Sequence, residues 1–142
     1  MDYSKKIKNL KGDFFPKSFP TTKELESLPK KDVNGESVPD KDKLEKETIG
    51  NIIINVLAQN ISKDKRDGFY CNLIADSVLN GGKKAELKDK LKKFLIECLE
   101  NAELREVDEE NEKGKNKKVV KGIYPGWMIA QVLSELGVDP EK

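Results

Sequence analysis

The sequence predicts a mainly α domain: a compact bundle of about four helices with a small N-terminal β-hairpin and a second short β-ribbon. Three observations carry that expectation. Apolar residues recur at helical spacing almost without interruption from Thr48 to Ala102; another such stripe follows Pro125; and an Asn-Gly pair at 34–35 lies between short flanks able to pair.

Residues 1–47 read as an extended aromatic and proline-rich arm containing the small hairpin, and residues 48–142 as the helical core. In the arm, Tyr3, Ile7 and Leu10 lie on one face of a short predicted helix ended by Gly12. Phe14, Phe15 and Phe19 then alternate with Pro16 and Pro20, which forbid a regular helix or a central strand. Thr22 is expected to cap a brief helical turn through Leu25 and Leu28 before Pro29. Asn34 and Gly35 tolerate the positive φ that a two-residue hairpin turn requires, so the flanks around Val33 and Val38 are predicted to pair.

Thr48 is the N-cap expected for the first core helix, whose inward face is Ile49, Ile52, Ile53, Val56 and Leu57, widened by Ile54. After a loop from Asn60 to Lys65 comes a second stripe of Phe69, Tyr70, Leu73, Ile74, Ser77 and Val78, stopped by Asn80-Gly81-Gly82. The third stripe, from Leu87 through Leu91, Phe94, Leu95, Cys98 and Leu99 to Ala102, has charge on its other side. Short connections favour antiparallel neighbours, so these two helices are expected to pack as a hairpin.

The segment 103–122 is a charged loop. Its first half has six acids against Arg105, and its second half answers with Lys113, Lys115, Lys117, Lys118 and Lys121. Leu104 and Val107 are expected to pair with Val119, Val120 and Ile123 as two short strands, leaving the charged middle as a mobile tip. Pro125 opens the last helix where its missing N–H costs nothing, and Met128, Ile129, Val132, Leu133 and Leu136 form its stripe before Gly137.

Composition narrows the function classes. Hydrophobic residues are 36% and charged residues 37%, against about 45–50% and about 25% in ordinary domains, so the core must be concentrated in part of the chain. The 27 basic and 26 acidic residues nearly cancel, which leaves no global attraction to nucleic acid or acidic membranes. Cys71 and Cys98 fall on apolar helix faces and read as reduced, packed thiols in a cytosolic protein. No run is apolar and long enough for a signal peptide core or a membrane span.

The absence of histidine removes a histidine base, a Ser-His-Asp triad and a typical zinc site, so the chain reads as a non-enzyme with no catalytic, cofactor-binding or metal-binding residue. The acids read as lying in solvated loops or on polar helix faces; Asp76, which follows Ala75 inside the second helix, is the one singled out, and its expected place is the surface. Gly81-Gly82-Lys83-Lys84 lacks the phosphate-loop spacing and reads as a helix terminator. The lysines at 113, 115, 117, 118 and 121 offer sequence-blind phosphate contacts, opposed by the acidic run beside them and unaccompanied by aromatics for base stacking.

Phe14, Phe15 and Phe19, with Tyr124 and Trp127 at the start of the last helix, have two readings: a strap over one end of the core, or a partner-binding arm, since aromatics dominate interface hot spots.

One resemblance adds a setting. The turn D-x-N-G-x-x-V at 32–38, the apolar helix Ile49 to Leu57, the helix from Phe69 to Gly82, A-E-L-x-D-x-L-x-x-F-L at 85–95 and the Tyr-Pro-Gly opening of the last helix follow one another as in small proteins encoded by tailed phages and prophages, which this chain resembles. The charged tip and the aromatic arm depart from that pattern. The resemblance implies a phage or prophage genomic setting; the leading reading is a phage-type protein in the cytoplasm of a bacterial host, or in a virion, that acts by binding another host or phage protein or itself: a virion assembly factor or an inhibitor of a host defence protein. A nucleic-acid-binding accessory protein using the lysine-rich loop is the alternative.

Overall fold

The computed structural model describes residues 2–59, 65–80, 87–110 and 112–138. Within them lie five helices, α1 (Thr22–Glu26), α2 (Ile49–Ala58), α3 (Lys65–Asn80), α4 (Asp89–Asn101) and α5 (Gly126–Glu135). Two separate two-stranded antiparallel sheets join β1 (Lys30–Val33) to β2 (Glu36–Pro39) and β3 (Arg105–Glu110) to β4 (Asn116–Lys121). The fold is therefore mixed α/β rather than clearly mainly α, because the charged segment builds a regular ribbon of its own.

Helix α2 is the centre. Thr48 caps it by accepting a hydrogen bond from the Asn51 amide at 3.1 Å, and Ile49, Ile52, Ile53, Val56 and Leu57 are all buried. Its β-branched residues have modest helix propensity, so burial on several sides holds the helix. It touches both α3 and α4, and α4 touches α5. Gly50 has to be small: a Cβ there would lie 2.9 Å from the Tyr3 carbonyl oxygen and 3.1 Å from Val78.

The stripe of α3 is narrower than its sequence suggests. Ile74 is fully buried and Cys71 and Val78 pack against the core, but Phe69 and Leu73 point outward and stay exposed. Tyr70 meets Phe94 of α4 edge-on, with ring centroids 5.4 Å apart. On α4, Leu95 and Leu99 are buried; on α5, Met128, Ile129 and Val132 are, and Gly137 follows with φ +86°. The loop 60–64 and the glycines and lysines at 81–84 lie outside the described residues.

No helix forms over Tyr3 to Leu10. The segment is extended, because its backbone finds partners on the chain entering α2: Ile7 donates to the Glu47 carbonyl at 3.1 Å, Ile49 to Lys5 at 3.0 Å and Gly50 to Tyr3 at 2.9 Å. Tyr3 and Ile7 enter the same buried cluster as the helices, whereas Leu10 is exposed. The arm also reaches α5: the Gln131 side-chain amide donates to the Lys8 carbonyl at 2.9 Å, and Lys5 pairs with Glu135.

Short elements follow their local chemistry. Thr21, one residue before the expected cap, forms a capping box with Glu24 at the start of α1. Asn34 and Gly35 have φ of +53° and +82°, the pair of positive values that a type I′ turn needs. The register of the second ribbon sets Asp108 opposite Lys118 and Glu109 opposite Lys117. The strands thus run through the charged stretch that was expected to be a mobile tip, and cross-strand charge pairing accounts for it.

A candidate protein-binding site where the arm meets the last helix

The arm aromatics and the start of α5 come together. Phe15 packs edge-on against Trp127 and Phe19 edge-on against Tyr124, each with ring centroids 5.8 Å apart. Such pairs contribute about 0.5–1.5 kcal/mol each beyond burial. Phe15 and Trp127 are half-buried, so this pair straps the arm to the core. Tyr124 is 2% exposed and cannot itself meet a partner. Phe14 is nearly half exposed, with the Lys6 and Lys8 ammonium groups 5.8 and 5.4 Å from its ring centroid.

Gly122 places Tyr124. With φ +97°, it lets the chain cross the end of α4 so closely that a Cβ there would lie 2.2 Å from the Glu103 carbonyl oxygen. Tyr124 then donates its amide to the Ala102 carbonyl at 3.1 Å and accepts from Leu104 at 2.8 Å. Its hydroxyl accepts from the Asn55 side chain at 2.8 Å. Burial pushes the phenol above its usual range and the nearby Glu47 charge adds to that, while the Asn55 bond pulls the other way.

Beneath the arm lies Glu47, a fully buried carboxylate that sequence reading placed among the solvated acids. It is met by N–H groups. One oxygen accepts from the Ser18 amide at 2.8 Å; the other accepts from the Thr48 amide at 3.1 Å and the Asn51 side chain at 2.6 Å. Three donors on one carboxylate satisfy a charge that would otherwise be costly to bury. A local signal existed: Glu47 immediately precedes the N-cap Thr48 and stands four residues before Asn51. Asp76, the acid singled out from sequence, is exposed and accepts from Asn80 at 3.0 Å.

The clamp on Ser18 explains its neighbour. Phe19 has φ +50°, a left-handed backbone that costs a bulky L-residue about 1–2 kcal/mol, and it precedes Pro20, which restricts it further. Ser18 is bonded to Glu47 on one side, and its carbonyl accepts from Asn51 at 3.4 Å; Lys17 donates to the Glu45 carbonyl at 2.9 Å. The chain is thereby fixed up to Phe19, whose ring is left 63% exposed. A cleft of about 650 Å³ opens nearby, lined by Tyr3, Lys17, Thr48, Asn51, Ile54 and Leu79.

The predicted phosphate-contacting lysines lie elsewhere, on the second ribbon and its turn. Lys117 and Lys118 face carboxylates across the strands, and Lys121 bonds Glu109 at 2.5 Å. Lys113 and Lys115 sit exposed in the turn. Among the described residues no three His, Cys, Asp or Glu side chains converge as a metal-binding group, and no helix is long and apolar enough to cross a membrane. The Cys98 thiol is pushed up to about 11, chiefly by burial, which removes thiolate reactivity at neutral pH. No family model, curated protein or solved structure matches the chain.

Proposed function

We propose that this chain is a non-enzymatic, phage-type protein that works by binding another protein, in virion assembly or against a host defence factor, and that Phe19 is the anchor it presents. The observation that carries this is the cost of Phe19: a strained backbone holds a large apolar ring at the surface, where its edge contact with Tyr124 still leaves it 63% exposed. Backbone strain without a matching gain in burial marks a residue kept for something else. Exposed aromatics at rigid positions are the usual hot spots of interfaces.

The non-enzymatic part rests on the chemistry at hand. Glu47 is engaged by three N–H donors, Cys98 is held protonated, and the sequence has no histidine. The nucleic-acid alternative loses support from the ribbon, where Lys117, Lys118 and Lys121 have carboxylates facing them.

The test is Phe19→Asn, compared with wild type for capture of a protein from host and phage-infected lysates. Asparagine tolerates the left-handed backbone, so about 1–2 kcal/mol of relieved strain offsets the lost ring contact and thermal stability stays near wild type. A hot-spot loss of at least about 2 kcal/mol corresponds to roughly thirtyfold weaker capture. Equal capture by both proteins overturns the reading, as does a wild-type protein that retains nothing.

A further inference from the structure

The β3–β4 ribbon is the part of the molecule least explained by the fold. Its strands pack on each other and scarcely on the described helices, and among the described residues one edge of each strand has no further strand beside it. Isolated ribbons of this kind are only marginally stable, and open edges offer unpaired N–H and C=O groups to another chain.

The two edges have opposite charge. Strand β3 carries Glu106, Asp108, Glu109 and Glu110 against Arg105; β4 carries Lys117, Lys118 and Lys121 and no acid. Charged edges ordinarily deter pairing with other strands. Here each deterrent has its complement on the same molecule.

We propose that the ribbon is a self-assembly surface, in which the outer edge of β3 in one copy pairs antiparallel with the outer edge of β4 in the next, Asp108 facing Lys118 as it does within the chain. Charge excludes the symmetric alternatives. Pairing β3 with β3 sets carboxylates against carboxylates, and β4 with β4 sets lysines against lysines, both destabilising. The remaining arrangement is head-to-tail: each added copy brings a new open edge, so the assembly closes as a ring or grows as a chain. Val120, 67% exposed on β4, supplies apolar area to the contact. This inference is independent of Phe19.

Sedimentation of the full chain at high concentration, in about 0.01 M and about 1 M salt, where screening lengths are about 30 and 3 Å, tests it. The expected result is a mass well above 16.0 kDa at low salt, with dissociation constants at least about tenfold weaker at high salt. Lys117→Gln with Lys118→Gln, which introduces no like-charge pair into the ribbon, is expected to abolish the association. Oxidation of a mixture of Asp108→Cys and Lys118→Cys chains is expected to yield more crosslinked dimer than either chain alone. A monomer at low salt, a mass indifferent to salt or to the glutamines, or equal crosslinking in the unmixed samples overturns the proposal.

Discussion

Replacing Glu47 by glutamine keeps the shape of the side chain and removes one acceptor from a buried site whose three ligands are all donors. The amide oxygen can serve either Ser18, at 2.8 Å in the native chain, or the Thr48 and Asn51 pair, at 3.1 and 2.6 Å. The better orientation keeps the pair and turns an NH2 group toward the Ser18 amide. One orphaned buried donor costs about 1–3 kcal/mol. The two surviving bonds fall from charge-assisted to neutral, about 1 kcal/mol each. The expected destabilisation is therefore about 3–5 kcal/mol, or roughly 10–17 °C in melting temperature for a domain of this size. Chemical denaturation measures the total, and amide hydrogen exchange locates it: Ser18 should lose protection by a larger factor than the amides of α4. A variant within about 1 kcal/mol of wild type, well below the lower end of that sum, would refute the view that this carboxylate holds the arm.

Two further perturbations follow from the same geometry. Gly122→Ala combines a left-handed backbone with a Cβ driven into the Glu103 carbonyl, and is expected to cost more than about 3 kcal/mol by denaturant titration; a near-neutral result would show that the crossing at the end of α4 is soft. Alkaline pH should destabilise the fold. The Cys98 thiol is raised to about 11 by burial, and the Tyr3 and Tyr124 phenols are raised by burial too. Each group ionises more readily when unfolded, so the folded state binds more protons as pH rises, and the stability present below the unfolded values is lost through the folded ones. The melting temperature should therefore fall from about pH 9 to about pH 11, given an unfolded thiol near 8.5 and phenol near 10, and Cys98→Ala should flatten the start of that fall.

Several elements were legible because their signals are local. Thr48 and the isoleucines after it, the Asn34-Gly35 turn, and Pro125 before the last stripe each act within a few residues, and the chain folds there as they direct. The spacing of Tyr3, Ile7 and Leu10 misled because the backbone bonds that decide that segment come from residues 47–50. Periodicity on α3 offered a stripe wide enough to include Phe69 and Leu73, and only packing against α2 and α4 chooses which side turns inward. The aromatic grouping of the site was visible residue by residue; the pairing of Phe15 with Trp127 and Phe19 with Tyr124 was not, since it depends on where Gly122 crosses α4. Glu47 escaped notice because its place beside the N-cap Thr48 and four residues before Asn51 supplies only the local donors, while the Ser18 amide that completes the site comes from 29 residues away.

The tie between the arm and α5 has a consequence for how the chain is made. Gln131 and Glu135 hold Lys8 and Lys5 across sequence separations of 123 and 130 residues. Contacts this distant cannot form until residues 131 and 135 have been synthesised, and they are slow to close because the intervening chain must be ordered first. On the ribosome, the arm therefore emerges well before its partners on α5 and is among the last segments to find its place. Phe14, Phe15 and Phe19 stay uncovered throughout that interval, so a partner or chaperone present during translation meets this arm before Trp127 and Tyr124 do.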